Sequence, residues 1–125
     1  MNNEVKQLLL ADGQSMPQEG FGLYKITDQS TITSAIKYAY NAGYRLFDTA
    51  QLYKNEAEVG NALQELGLPR EELFITTKVS EPNQGFKQTI TSIKDSLQKL
   101  KLDYVNLLLI HWPIERAFFD TWAAL

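Results

Sequence analysis

The chain has 125 residues, 44% of them hydrophobic and 22% charged, with a formal net charge of −3. That is enough for one domain with a real core, and the balance is that of a soluble globular protein. Acids and bases are mixed along the chain, which argues against nucleic acid as a partner, and the lack of cysteine excludes disulfides and thiolate chemistry.

Met1 to Leu10 lacks the apolar core and small-residue stop of a signal peptide. No run approaches the ~18 apolar residues of a membrane span. A cytoplasmic protein with no membrane partner is the expectation.

The first element is a hairpin over residues 1–19. Leu8-Leu9-Leu10 leads into Asp12-Gly13, which suits a two-residue turn with both central residues at positive φ. Gly20 to Ile26 reads as a strand. Ile32, Ala35, Ile36, Ala39 and Tyr40 then recur on one helical face, with Ser30 as the expected N-cap and Gly43 just past the end. A strand over Tyr44 to Asp48 follows. The second helix starts near Asn55, where Asn55 and Glu58 resemble a capping box, and Gly67 and Pro69 stop it. Leu73 to Lys78 is the next strand. The third helix carries Ile90, Ile93, Leu97 and Leu100 on its expected buried face. Tyr104 to His111 is a strand, and Phe119-Asp120-Thr121-Trp122 opens a fourth helix.

The order is a hairpin followed by alternating strands and helices, with strand ends about thirty residues apart, which suits βα units feeding a parallel sheet. Residues 1–125 therefore read as a single α/β domain. The pattern leaves two architectures open, a small doubly wound sheet or part of a (β/α)8 barrel.

Three successive strands end in an ionisable residue: Asp48, Lys78 and His111, the only histidine. In parallel α/β proteins that end of the sheet is where active sites are built. Tyr53 lies five residues past Asp48 in a loop at the same rim. Each of the four has an ordinary structural reading as cap, solvated charge, packing ring or satisfied imidazole. Their coincidence on one rim favours chemistry. A lysine ammonium beside a phenol favours its ionised form, a carboxylate holds the lysine charged, and an imidazole can orient a carbonyl oxygen. The product is a general acid that protonates an oxygen while hydride reaches carbon. The chain has no hydride donor of its own, so a cofactor is required. Other chemistries find no support. Gly20-Phe21-Gly22 lacks the third glycine of a dinucleotide fingerprint, one histidine without cysteine argues against a metal site, and there is no Gly-x-Ser-x-Gly elbow.

The stretch Gly43-Tyr44-Arg45-Leu46-Phe47-Asp48-Thr49-Ala50, continuing through Tyr53 to Glu58 and Gly60, closely resembles the first signature of the aldo-keto reductases. Gly22-Leu23-Tyr24-Lys25, Ile75-Thr76-Thr77-Lys78 and Leu109-Ile110-His111-Trp112-Pro113 are similar to that family's first-strand, lysine and histidine segments. The hairpin fits the one that plugs the base of its barrel. The resemblance implies a (β/α)8 TIM-barrel fold and NADPH-dependent reduction of aldehydes and ketones. It makes Tyr53 the general acid, with Lys78 and Asp48 setting its acidity and His111 orienting the carbonyl. It sets Gly22, Leu23, Tyr24 and Lys25 along the nicotinamide half of NADPH, with Asp48 near its ribose. Tyr24, His111 and Trp112 would border the small-molecule carbonyl substrate. Ser80 departs from the family, many members of which carry an aromatic there.

A (β/α)8 barrel needs ~250 residues. The expectation is therefore an incomplete barrel: the hairpin, then about four βα units over residues 20–125, the last helix truncated. Open sheet edges and strands apolar on both faces point to self-association. Two readings stand. One is the N-terminal part of a reductase, weakly active or inactive alone. The other is a non-catalytic, self-associating half-barrel.

Overall fold

The computed structural model describes residues 5–125, so the first four residues of the expected hairpin lie outside it. Strands β1 (Gln7–Leu9) and β2 (Ser15–Pro17) pair antiparallel, with Leu8 opposite Met16. Their turn is longer than the expected two-residue form. The Leu10 amide donates to the Gln14 carbonyl at 2.8 Å, and only Gly13 takes a positive φ, 87°. Asp12 stays out of the left-handed region because its carboxylate accepts from the Gln14 amide at 3.0 Å.

The remaining strands form one parallel sheet in chain order: β3 (Gly20–Gly22), β4 (Leu46–Asp48), β5 (Phe74–Val79) and β6 (Leu107–Ile110). Gly22 lies opposite Asp48, Asp48 opposite Thr76, and Lys78 opposite Leu109. Helices α1 (Gln29–Asn41), α2 (Glu56–Glu65) and α3 (Phe86–Leu100) connect successive strands, and α4 (Phe118–Ala124) follows the last. Strands in strict chain order, each joined to the next by a helix, fit part of a (β/α)8 barrel and not a doubly wound sheet, whose strand order reverses.

The core lies between the sheet and its helices. Ile32, Ile36 and Ala39 of α1 and Val59, Ala62 and Leu63 of α2 close on Phe47 and Ile75 from the sheet. Burying each large side chain contributes roughly 1.5–3 kcal/mol. Gly60 lets α2 and α3 touch, since a Cβ there would stand 2.5 Å from the Lys99 carbonyl oxygen.

The three helices end alike. In α1 the Gly43 amide donates to Tyr40 O and the Tyr44 amide to Ala39 O, and Gly67 and Leu68 repeat the pattern after α2. After α3 the same place is taken by Lys101, at φ 57°.

Several local expectations are corrected. The N-cap of α1 is Asp28, not Ser30: its carboxylate accepts from the Thr31 amide at 2.9 Å and from the Ser30 hydroxyl at 2.7 Å. Those hydrogen bonds, led by that of Ser30, hold Asp28 below the ordinary carboxylate range. Asn55 precedes α2 but forms no capping box, because its side chain bonds elsewhere. The strand expected through Ile26 stops at Gly22 and gives way to a turn. Helix α3 buries Thr89, Ser96 and Leu100, leaving Ile90, Ile93 and Leu97 half-buried. Its polar side is drawn inward by the Glu56 carboxylate and the Gln51 amide, which bond to Ser96 and Ser92.

Candidate active site

Asp48 ends β4 and Lys78 lies one residue before the end of β5. His111 follows β6 directly, its amide still bonded to Val79 O at 3.0 Å. Tyr53 closes a short 3-10 turn, Gln51–Tyr53. The structure brings all four together. The Lys78 ammonium donates to Asp48 Oδ1 at 2.5 Å, to the Thr49 carbonyl at 3.0 Å and to Tyr53 Oη at 3.2 Å. An ammonium has three hydrogens, and each has an acceptor here. The lysine side chain is 12% exposed and that of Asp48 32%, so the pair stands at the mouth of the sheet.

The His111 ring meets the Tyr53 ring edge-on at 5.8 Å and the Trp112 ring at 4.2 Å. Its Nδ1 is buried without a hydrogen-bond partner. Burial, and then the charge of Lys78, hold His111 below its ordinary 6.5, against a smaller opposing pull from Asp48. The imidazole is therefore neutral at pH 7. A 290 Å³ cavity opens beside it, lined by Leu52, Ser80, Glu81, Pro82, His111 and Trp112. Ser80 is held there by Gln51, whose Oε1 accepts from the Ser80 amide at 2.9 Å and its hydroxyl at 3.3 Å.

Tyr24 is not among the residues lining this cavity. Its ring lies 5.1 Å from that of Tyr53, and it is 60% exposed. Lys25 is exposed beside it, and a Cβ on Gly22 would meet nothing within 4 Å. Leu23 differs: its side chain is buried in the core, so only its backbone borders the rim. Among the described residues no group of three His, Cys, Asp or Glu is placed to hold a metal, and no helix is long and apolar enough to cross a membrane.

Three residues around Tyr53 escaped the sequence reading. Gln51 ties the loop to Ser80, Asn83, Ser92 and Ser96. Asn55 reaches back to Leu23 and Ile26. Glu56 accepts from Thr77 at 2.7 Å and from Ser96 at 3.1 Å. Burial pushes the Glu56 carboxyl up, and those hydrogen bonds oppose the shift only in part. The signal of these three residues in the sequence is the run of amide and carboxylate side chains at Gln51, Asn55 and Glu56, which at Asn55 also suits a helix cap.

The family model for the aldo/keto reductase family matches residues 20–125. The chain belongs to the aldo/keto reductase family. It is 42% identical over its whole length to a 9,11-endoperoxide prostaglandin H2 reductase of Trypanosoma cruzi, covering 44% of that protein. A glyoxal reductase of Bacillus subtilis is 46% identical over 93% of the chain and 42% of its own length. Among solved structures, an aldo/keto reductase from Brucella melitensis superposes with a TM-score of 0.92 at 41% identity, over 99% of this chain and 48% of that one. An aldo-keto reductase complexed with NADPH gives 0.88 at 34% identity, over 97% and 43%. This aldo/keto reductase chain thus spans less than half the length of the relatives it matches.

Proposed function

We propose that this chain carries the proton-donating half of an NADPH-dependent reductase that converts aldehydes and ketones to alcohols. The observation that carries the reading is the Lys78 ammonium, with its three hydrogens on Asp48, Thr49 O and Tyr53 Oη. The substrate oxygen sits between Tyr53 Oη and the accessible edge of the neutral His111. Tyr53 gives its proton to that oxygen as hydride reaches the carbonyl carbon. The charge left on the phenol oxygen is stabilised by the ammonium 3.2 Å away, in a setting organised before substrate arrives. His111 donates a hydrogen bond that fixes the carbonyl, and Asp48 keeps Lys78 in place.

The rim beside Tyr53 fits the nicotinamide half of NADPH. Gly22 leaves open space, Tyr24 offers an exposed aromatic face, Lys25 a cation and Asp48 a carboxylate suited to ribose hydroxyls. Bound there, NADPH supplies the hydride. The cavity beside His111 suits a small carbonyl compound, and glyoxal, for which the Bacillus subtilis relative is named, is the first to try. The test is NADPH binding by nicotinamide fluorescence, followed by glyoxal turnover with Tyr53→Phe as control. NADPH binding and a weak turnover that is lost in Tyr53→Phe are expected of the chain alone. Turnover undiminished in that variant would sink the assignment.

A second reading, a non-catalytic half-barrel that pairs with another copy, is favoured by one feature. Strand β6 is a sheet edge with Leu109 38% exposed, and Phe119 and Trp122 of α4 are 76% and 71% exposed. Such apolar edges favour association. Sedimentation at micromolar concentration decides it: this reading expects dimers or larger, and a monomer removes it.

A further inference from the structure

The turn after β3 is strained, and it is held from outside. The Ile26 amide donates to the Leu23 carbonyl at 3.4 Å, closing a four-residue turn whose third residue, Lys25, sits at φ 64°. A non-glycine residue in that region is strained and persists only where its surroundings impose it. The imposing group is the amide of Asn55. Its Nδ2 donates to Leu23 O and to Ile26 O, both at 2.8 Å, and its Oδ1 accepts from the Thr49 hydroxyl at 2.6 Å. The side chain is fully buried and both of its donor hydrogens are used.

The connection runs between the two tyrosines of the rim. Thr49 and Asn55 bracket the loop that bears Tyr53, and Leu23 and Ile26 bracket Tyr24. The rings of Tyr24 and Tyr53 lie 5.1 Å apart. A helix cap would have needed only one of these hydrogen bonds, and it would have been made to α2 itself.

We propose that Asn55 is a positioning residue that joins the Tyr24 turn and the Tyr53 loop into one rigid unit, and that affinity for the nicotinamide half of the cofactor depends on this joint. The affinity part rests on the reductase reading above; the joint itself does not.

Asn55→Asp preserves shape and the acceptor for Thr49, removes both donors and sets a carboxylate against two carbonyls. In this variant amide hydrogen exchange at Leu23 to Ile26 should accelerate at least tenfold while the amides of β5 change little. The dissociation constant for NADPH of the full chain, read by nicotinamide fluorescence, should rise at least tenfold. Thr49→Val frees Asn55 from one side only and should give a severalfold effect in both readouts. Unchanged exchange in the turn overturns the proposal, read in Asn55→Asp or, where that variant does not fold, in Thr49→Val. Loosening spread evenly over the molecule with an unchanged dissociation constant also overturns it, since that is what a merely structural asparagine would give. A wild-type chain that binds no NADPH removes the affinity claim and leaves the reductase reading to turnover, and the exchange arm still decides the joint.

Discussion

The two ends of the sheet are built on different plans. At the N-terminal end the same device occurs twice. Arg45 lies over the Tyr40 ring at 3.7 Å and donates to Tyr40 O and Tyr44 O, both at 2.8 Å. Arg70 lies over the Tyr104 ring at 3.9 Å and donates to Leu73 O, Tyr104 O and Asn106 Oδ1. A stacked guanidinium thus ties helix ends and strand starts together at one αβ junction after another. At the C-terminal end nothing repeats. Each strand ends in a different residue, and the loops are joined by amide and carboxylate side chains with unrelated partners. Repetition marks the end that only has to hold; its absence marks the end where the proposed chemistry lies.

That contrast can be broken from either side. The largest effect is expected at the chemical end. Lys78→Met should lower glyoxal turnover by ~10²–10⁴-fold, the range of general acid–base contributions, with a melting temperature near that of the parent. A loss of activity no larger than that of Arg70→Ala would erase the distinction. At the structural end, Arg70→Ala should cost about 1–3 kcal/mol in urea unfolding, from lost charged hydrogen bonds and stacking, and leave the NADPH dissociation constant within twofold.

A smaller effect should appear in stability against pH. Glu56 is held above its ordinary 4.5, so the folded state keeps this proton more tightly than the unfolded chain. Its contribution is fully present below about 4.5 and is lost as the pH rises through the folded value. His111, held below 6.5, contributes stability above 6.5 that is lost as the pH falls through its folded value. Urea midpoints from pH 4 to 8 should therefore decline less on the alkaline side in Glu56→Gln than in the parent. An unchanged slope would mean that Glu56 is ionised at no cost. The smallest effect is a gain. Lys101→Gly relieves the left-handed residue after α3 and should stabilise by ~0.5–1 kcal/mol; a loss would show that the Lys101 bond to Gln64 matters more than the backbone.

What the sequence revealed follows the same divide. The alternation of strands and helices was legible because apolar period and helix stops are local signals, as at Ile32, Ile36 and Ala39 or at Gly43 and Gly67. The rim was legible because Asp48, Lys78 and His111 each end an apolar run. The joints between loops were not. Asn55 looks like a cap from its neighbours, and only carbonyls about thirty residues away, at Leu23 and Ile26, draw it elsewhere. The same long-range bonding turns the end of an expected strand into the Leu23–Ile26 turn. It also rotates α3 so that Ser96, rather than the Ile90 and Ile93 stripe, is buried. Hydrogen-bonding partners chosen across the fold override local pattern in each case.

Lysine is normally a poor reference point. Its long stem samples many rotamers, and ordering it costs ~2 kcal/mol. Lys78 has lost that freedom to Asp48, the Thr49 carbonyl and Tyr53, so its charge occupies one location as sharply as a guanidinium fork would. The entropy was surrendered when the strands assembled. On the proposed mechanism, no further ordering of this side chain stands between the arrival of a carbonyl compound and the transfer of the phenol's proton.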